Sequence, residues 1–257
     1  MSRSQGTRGH QLLRHAVRLL VLCGLALLAL QLTFALRIAS LSVLDPASTA
    51  FQRSEAWRLL VEKGRIEWSQ TWVDDPGLSV HLKRAVIASE DAGFTRHGGV
   101  DWEALERAWE RNQQAQARAD RRAATPAAAA RREAPRPVGG STITQQLAKN
   151  LFLSGERTVL RKAQEFVITL MLEAMLSKRR ILEIYLNHVE WGEGLFGAQA
   201  AARHYFRVDA GRLGPEAAAR LAVMLPAPKR FEKRPASPYM AERTATILAR
   251  MGAVELP

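Results

Sequence analysis

Eighteen consecutive residues near the N-terminus, Leu19 to Leu36, carry no charged side chain and are mostly leucine and alanine. As a helix this run would rise about 27 Å, close to the roughly 30 Å hydrocarbon core of a bilayer. Four arginines precede the run, and only Arg37 follows closely, so the positive-inside rule predicts a cytoplasmic N-terminus. The sequence therefore predicts a transmembrane helix over residues 19–36, after a basic cytoplasmic segment, residues 1–18.

A cleaved signal peptide is the alternative explanation of this run. Its apolar region is usually shorter, and no small-x-small cleavage site directly follows Leu36. The single cysteine, Cys23, lies inside the run, so the exported part can form neither a disulfide nor a cysteine-based site. The net charge of +12 indicates an anionic partner, and export argues against nucleic acid in that role.

After the run the sequence follows helical periodicity and shows no sustained period-two alternation, which predicts a mainly α fold. Residues 37–75 are interpreted as a connector and residues 76–257 as the folded domain. Thr142 and Gln145 have the spacing of a capping box at the start of one helix.

Residues 113–138 differ in composition from the rest of the domain. Alanine, arginine and proline dominate them, and no large apolar side chain occurs before Val138. Such a segment cannot fill a core, so we predict a mobile basic loop. An exposed alanine-rich helix up to Pro126 is the alternative.

Two adjacent carboxylates, Glu90 and Asp91, end an apolar helical segment where the helix dipole is negative. Each would be more stable at the other end by a few tenths to about 1 kcal/mol. A locally unfavourable placement often marks a functional site, and the dipole would raise the pKa of a carboxyl group, which suits a general base. A solvated helix end would explain these two residues equally well.

A second acid, Glu165, lies four residues after Arg161 and three after Lys162, so all three can share one helix face. Lys149 and Arg157 stand just upstream. Such a cluster suits a pyrophosphate, which lysine binds as a point charge and arginine through forked donors. An ordinary surface ion pair is the alternative.

Four stretches occur in a fixed order: EDAGFTRHGGVD (90–101), GGSTITQQLAKNLF (139–152), RKAQE (161–165) and KRRILEIYLN (178–187). Together they resemble the leading motifs of the family 51 peptidoglycan glycosyltransferases, over roughly residues 50–250. The resemblance implies a lysozyme-like domain of the monofunctional biosynthetic type, because the sequence contains neither Ser-x-x-Lys nor Lys-Thr-Gly, which a transpeptidase domain needs.

The resemblance also implies roles for single residues. It implies that Glu90 and Glu165 are catalytic, with Glu90 as the base. It implies substrate-binding side chains at Phe94, Ser141, Gln146, Lys149, Asn150, Arg157 and Arg161. It implies supporting roles for Asp91, His97, Lys162 and Asn187. Zinc at His97 is not expected, since no second histidine or cysteine stands at ligand spacing.

The implied reaction polymerises lipid II at the periplasmic face of the inner membrane, with inversion at the donor carbon and release of undecaprenyl pyrophosphate. The implied partners are lipid II, the growing glycan strand, the inner membrane, and proteins of wall synthesis or division. The apolar and basic surfaces near the cleft are predicted to face the bilayer. A divalent cation such as Mg²⁺ stays open as a cofactor, because Gln164 stands where some relatives carry a lysine.

Two other functions fit the same residues. A lytic transglycosylase would cut glycan with a general acid and would have no use for a cation cluster of pyrophosphate size. A non-catalytic, membrane-tethered scaffold would use the basic surface to bind anionic lipid.

Overall fold

The computed structural model describes residues 4–122, 139–153, 155, 156 and 158–257, and it describes the side chains of these residues except for residues 4–11 and Arg122. The chain forms two compact units, Met1–Leu44 and Asp45–Pro257. Arg157 and residues 123–138 of the predicted loop lie outside the described residues.

The first unit consists mainly of one helix, α1 (Ser4–Ser40), which contains the predicted apolar run. Its part Leu12–Ser40 is long and apolar enough to cross a membrane. The leucines of this part are exposed, and so is Cys23. A helix of this length with uncovered apolar side chains fits a single-pass membrane anchor.

The second unit is mainly helical, which confirms the predicted fold class. Its helices include α2 (Ala50–Lys63), α3 (Val80–Glu90), α4 (Trp102–Arg122), α5 (Ile143–Phe152), α6 (Val159–Met175), α7 (Lys178–His188), α8 (Ala198–Phe206), α9 (Pro215–Met224), α10 (Pro228–Glu232) and α11 (Pro238–Met251). Between α7 and α8 lies an antiparallel pair of short strands, β1 (Glu190–Gly192) and β2 (Leu195–Phe196). Helices α3, α9 and α11 pack together, and α5 packs against α2, α6 and α7.

Local sequence signals start several of these helices. The backbone N–H of Gln145 donates to Thr142 Oγ1, and the N–H of Thr142 donates to Gln145 Oε1, so the capping box of α5 is confirmed. Ser177 caps α7 with its hydroxyl oxygen, which accepts a hydrogen bond from the backbone N–H of Arg180 at 3.2 Å. Pro215 and Pro238 occupy the first positions of α9 and α11, where a missing N–H costs nothing.

The segment interpreted as a connector, residues 37–75, is largely part of the second unit, which begins at Asp45. Helix α2 lies within it and buries Gln52, Glu55 and Leu59. Because two of these three side chains are polar, the apolar periodicity that identifies a core helix in a sequence is weak here.

The predicted loop 113–138 also begins later than expected, since α4 continues to Arg122. Residues 113–122 are therefore helical, in agreement with the alternative of an exposed alanine-rich helix. Alanine, glutamine and arginine are good helix formers, and a helix that projects into solvent needs no core. Composition excluded burial of this segment but could not exclude its helicity.

Helix α6 buries polar as well as apolar side chains and exposes other apolar ones. Glu165 and Thr169 are buried on it, while Val159 is 86% exposed and Phe166 37% exposed. The ring centroids of Phe166 and Trp102 lie 6.3 Å apart, so the exposed apolar faces of α6 and α4 adjoin. We call this the apolar surface; it comprises Trp102, Leu105, Trp109, Val159, Leu160, Phe166, Val167 and Leu170.

Asn187, near the end of α7, attaches this helix to the segment that precedes α3. The side chain is fully buried. Its Oδ1 accepts from the N–H of Val73 at 2.9 Å, and its Nδ2 donates to the carbonyls of Val73 and Glu183, each at 2.9 Å. One side chain thus satisfies both backbone groups of Val73.

Asn187→Ala should lower the free energy of unfolding by about 2–4 kcal/mol, because three hydrogen bonds are lost and buried backbone groups lose their partner. Urea unfolding of the intact chain in detergent measures this difference. Thr246→Ala, which removes one exposed hydroxyl contact, is the control and should stay within about 0.5 kcal/mol of wild type. Equal stabilities of the two variants would contradict the proposed attachment.

Candidate active site

Glu90 ends α3 with a half-buried side chain that accepts hydrogen bonds from two neutral donors. Gln146 Nε2 donates to its Oε2 at 3.0 Å, and Ser89 Oγ donates to its Oε1 at 3.2 Å. Burial raises the pKa of Glu90, and the two hydrogen bonds oppose this rise. The result is a carboxyl group more basic than an exposed glutamate.

Asp91, next to it, is buried and bound on both oxygens. Its Oδ2 accepts from the N–H of Ile143, the first residue of α5, at 3.0 Å. Its Oδ1 accepts from His97 Nε2 at 2.8 Å. The carboxylate therefore faces the positive end of α5, which explains why an acid is stable directly after the negative end of α3.

The geometry around His97 fixes its tautomer. The N–H of Gly99 donates to Nδ1 at 3.1 Å, so Nδ1 carries no proton and Nε2 carries the proton donated to Asp91. Asp91, His97 and Asp101 have ligand-type atoms within 4.8 Å of one another. These groups are engaged in hydrogen bonds, Asp101 Oδ1 with the N–H of Ala104 at 2.7 Å, and do not form an open metal site.

Phe94, predicted to bind substrate, is fully buried, and that prediction is wrong. The ammonium of Lys178 lies 4.6 Å from its ring centroid, and the ring of His97 lies edge-on at 6.5 Å. The motif places Phe94 close to the two acids in sequence. Because a motif does not give side-chain direction, it could not show that the ring packs into the core.

Glu165 lies in a cavity of about 340 Å³ that we call the cationic cavity. Its lining includes Ser141, Gln146, Lys149, Asn150, Arg161, Lys162 and Glu165. The buried Glu165 accepts from Arg161 Nη1 at 2.9 Å through Oε2 and from Lys162 Nζ through Oε1. Three cations and one carboxylate line this cavity, so its charge suits an anion.

A second cavity, of about 360 Å³, contains Glu90 and Asp91 and is called the Glu90 cavity. Ser141 belongs to the lining of both cavities. Gln146 lines the cationic cavity and at the same time donates to Glu90. The structure therefore brings the two predicted acids, and most of the predicted binding residues, to two adjoining cavities.

The cationic cavity does not suit a resident divalent cation. Glu165 is the carboxylate in its lining, and both oxygens of Glu165 already accept from cations. A Mg²⁺ ion there would have to displace Arg161 or Lys162 and would add positive charge where cations already outnumber acids.

Sequence reasoning did not select two side chains that contact this site, Ser89 and Tyr185. The hydroxyl of Tyr185 donates to Gln146 Oε1 at 3.0 Å. Tyr185 lies inside one of the four motifs, and its spacing from Ile181 and Ile184 is typical of the buried face of a helix. It is a core residue as well, being 1% exposed.

Known proteins are similar in sequence to this chain over most of its length. The profile of the Transglycosylase family matches residues 60–252. The biosynthetic peptidoglycan transglycosylase of Burkholderia thailandensis is 50% identical over 232 residues, which cover 90% of this chain and 84% of the relative. The protein of that name from Bordetella avium is 49% identical over 239 residues, 91% of this chain and 93% of the relative. The one from Burkholderia orbicola is 48% identical over 257 residues, which cover 100% of this chain and 98% of the relative.

The matched range contains each residue predicted for the site and, apart from Phe51, the residues that line the two cavities. This chain therefore belongs to the transglycosylase family and is a glycosyltransferase.

Proposed function

We propose that this enzyme polymerises lipid II into the glycan strands of peptidoglycan, with inversion at the donor's anomeric carbon and release of undecaprenyl pyrophosphate. The observation that carries this proposal is the pairing of the two cavities. One holds a basic carboxyl group bound by neutral donors, and the adjoining one is lined by three cations. The names of the relatives supply the polymer, peptidoglycan.

Glu90 acts as the general base in this proposal. The 4-hydroxyl oxygen of the acceptor's N-acetylglucosamine bonds to C1 of the donor's N-acetylmuramic acid, and its proton passes to the Glu90 carboxylate. The bond from C1 to the pyrophosphate oxygen breaks on the opposite face, and its electron pair leaves with the phosphate. Burial makes Glu90 basic, and the donors on both its oxygens hold it in one position.

The cationic cavity receives the leaving group. Lys149 and Arg161 line it, and positive charge placed where negative charge develops lowers the barrier. Arg157, which lies outside the described residues, is proposed to act with them. Asn150 and Ser141 are placed to bind sugar or phosphate oxygens by their position in the lining.

Glu165 is proposed to position the cations of this cavity. Glu165 is 3% exposed, and its carboxylate holds Arg161 and Lys162 on the same face of α6. Such a buried acid prevents the two side chains from turning into solvent, because separation would leave an unpaired buried charge.

The apolar surface places the enzyme at its substrates, in our proposal. Tryptophan and aliphatic side chains on α4 and α6 suit a bilayer better than water, and both substrates carry lipid chains. With α1 as an anchor whose N-terminus is cytoplasmic, the second unit would work at the periplasmic face of the inner membrane. Confinement of enzyme and substrate to one surface raises their effective concentration.

Incubation of the purified chain with lipid II and, separately, with polymeric peptidoglycan tests whether the enzyme polymerises lipid II or cleaves glycan. We expect lipid II to be consumed and strands to form. Release of fragments from the polymer without consumption of lipid II would instead support a lytic enzyme.

Glu90→Gln should reduce lipid II turnover by at least about 100-fold, since a general base typically contributes 10²- to 10⁴-fold. The substitution keeps the shape of the side chain and removes the proton acceptor. Glu103→Gln, on the exposed face of α4, is the matched control and should keep wild-type turnover. If Glu90→Gln retains more than about a tenth of the wild-type rate, Glu90 is not the base.

Lys149→Gln should lower kcat/KM for lipid II by about 10- to 100-fold, the usual effect of losing a hydrogen bond to a charged group. Steady-state kinetics with lipid II measure the change, and circular dichroism checks the fold. Lys233→Gln, an exposed lysine outside both cavities, is the control. A Lys149→Gln variant as fast as the control would remove Lys149 from leaving-group binding.

A fluorescent label on the apolar surface should be in contact with lipid. In the intact chain with Cys23→Ser, we would attach a nitrobenzoxadiazole label at Val167→Cys on α6, or at Glu242→Cys on α11 as a control. In proteoliposomes we expect spin-labelled lipids to quench the first label and aqueous iodide to quench the second. Iodide quenching of both labels would show that α6 does not meet the bilayer.

A further inference from the structure

We propose that Tyr185 is a positioning residue that fixes the direction of the Gln146 amide, so that this amide donates to Glu90 and keeps it a carboxylate. The inference rests on the proposed role of Glu90 as the base. Tyr185 touches neither substrate nor Glu90 in this scheme and acts through Gln146 alone.

The three side chains form one relay of hydrogen bonds. Tyr185 donates from its hydroxyl to Gln146 Oε1 at 3.0 Å, and Gln146 Nε2 donates to Glu90 Oε2 at 3.0 Å. Each residue comes from a different helix, α7, α5 and α3 in turn. Every bond in the relay points toward Glu90, and donors arranged in this way polarise one another.

The direction of the amide matters because its two ends have opposite chemistry. A carboxamide has an oxygen that accepts and a nitrogen that donates, and the two orientations occupy nearly the same volume. Nε2 toward Glu90 stabilises the carboxylate, whereas Oε1 toward Glu90 would repel the carboxylate and favour the protonated acid. The orientation of Gln146 therefore decides which form of Glu90 is favoured.

Tyr185 supplies the donor that selects the productive orientation. Burial raises the pKa of Tyr185 well above its usual value, and the charges of Glu90 and Asp91 add to this effect. The hydroxyl therefore keeps its proton and needs a buried acceptor, which Gln146 Oε1 provides. In the reversed orientation Oε1 would face Glu90, and the proton of Tyr185 would lose this acceptor.

The fold holds the phenol ring in place. Its neighbours Ile184 and Leu186 are fully buried, and Asn187 attaches the end of α7 to Val73. Helix α5 packs directly against α7. The hydroxyl is thus held by the core, while Gln146 lies at the edge of the cationic cavity.

Other charges near Glu90 stay constant when Tyr185 is changed. Asp91 raises the pKa of Glu90 and Arg243 on α11 lowers it. The further charged residues that line the Glu90 cavity are Arg96, Asp101, Arg107, Arg111 and Arg250. Because Tyr185→Phe changes none of these groups, a shift in titration would come through Gln146.

The experiment is the pH dependence of kcat/KM for lipid II in the intact chain with Tyr185→Phe. Polymerisation needs ionised Glu90, so the rate falls as the pH drops through the pKa of Glu90. Without Tyr185 to orient it, the Gln146 amide no longer donates to Glu90, and the pKa of Glu90 rises. The acidic limb of the pH profile of kcat/KM should therefore move to higher pH by about one unit. Activity lost near neutral pH should return at higher pH, which a merely loosened fold would not produce.

Tyr205→Phe is the matched control, since the hydroxyl of Tyr205 also donates one hydrogen bond, to the carbonyl of Trp191 at 2.9 Å. The acidic limb of Tyr205→Phe should coincide with that of the wild type.

Gln146→Met should shift the acidic limb to higher pH, as Tyr185→Phe does. The double variant, with Tyr185→Phe added to Gln146→Met, should show no further shift. A wild-type limb for Tyr185→Phe, or a full additional shift in the double variant, would overturn the proposal.

Two further substitutions test the same hydroxyl if Tyr185→Phe does not fold. Tyr185→p-aminophenylalanine keeps a donor and should have the wild-type acidic limb. Tyr185→p-methylphenylalanine fills the same space without donating and should shift the limb to higher pH.

The pKa of the Glu90 carboxyl can also be measured without substrate, by carbon-13 NMR titration with the signal assigned through Glu90→Gln. If the wild type does not polymerise lipid II, the proposed function fails, and this titration alone decides the role of Tyr185.

Discussion

The hydrogen bond from the N–H of Ile143 to the carboxylate of Asp91 determines how the site is assembled. It joins the negative end of α3 to the positive end of α5, so that an acid unfavourable for one helix stabilises the next. His97 occupies the other oxygen of Asp91. With Asp91 fully engaged, Glu90 is left as the neighbouring acid whose hydrogen bonds come from the neutral side chains of Ser89 and Gln146. Two adjacent carboxylates thus have separate tasks, set by what each one contacts.

Helix α5 connects the two chemical environments of the site. Gln146 lies on it between Glu90 and the cationic cavity, and Lys149 follows one turn later. The many polar side chains of this helix are therefore explained by its position, since one end meets the base and the rest lines an anion site. Its apolar side chains, Ile143, Leu147 and Leu151, provide the buried face that holds it against its neighbours.

The sequence identified the long apolar run near the N-terminus, the mainly helical domain and the residues around both acids. These features depend on local patterns: apolar length, capping residues and ordered motifs. What it missed depends on direction and on distant contacts. Phe94 points into the core, α2 buries polar side chains, and Tyr185 reaches Gln146 from 39 positions away in the chain.

The apolar surface has a consequence for handling the molecule without α1. A chain that begins at Asp45 would still expose Trp102, Trp109 and Phe166 to water, together with the aliphatic side chains beside them. Contiguous apolar patches of this kind favour self-association in aqueous buffer. Removal of α1 would therefore give a protein that aggregates or requires detergent, and its monomeric state would depend on the amphiphile that covers these two helices.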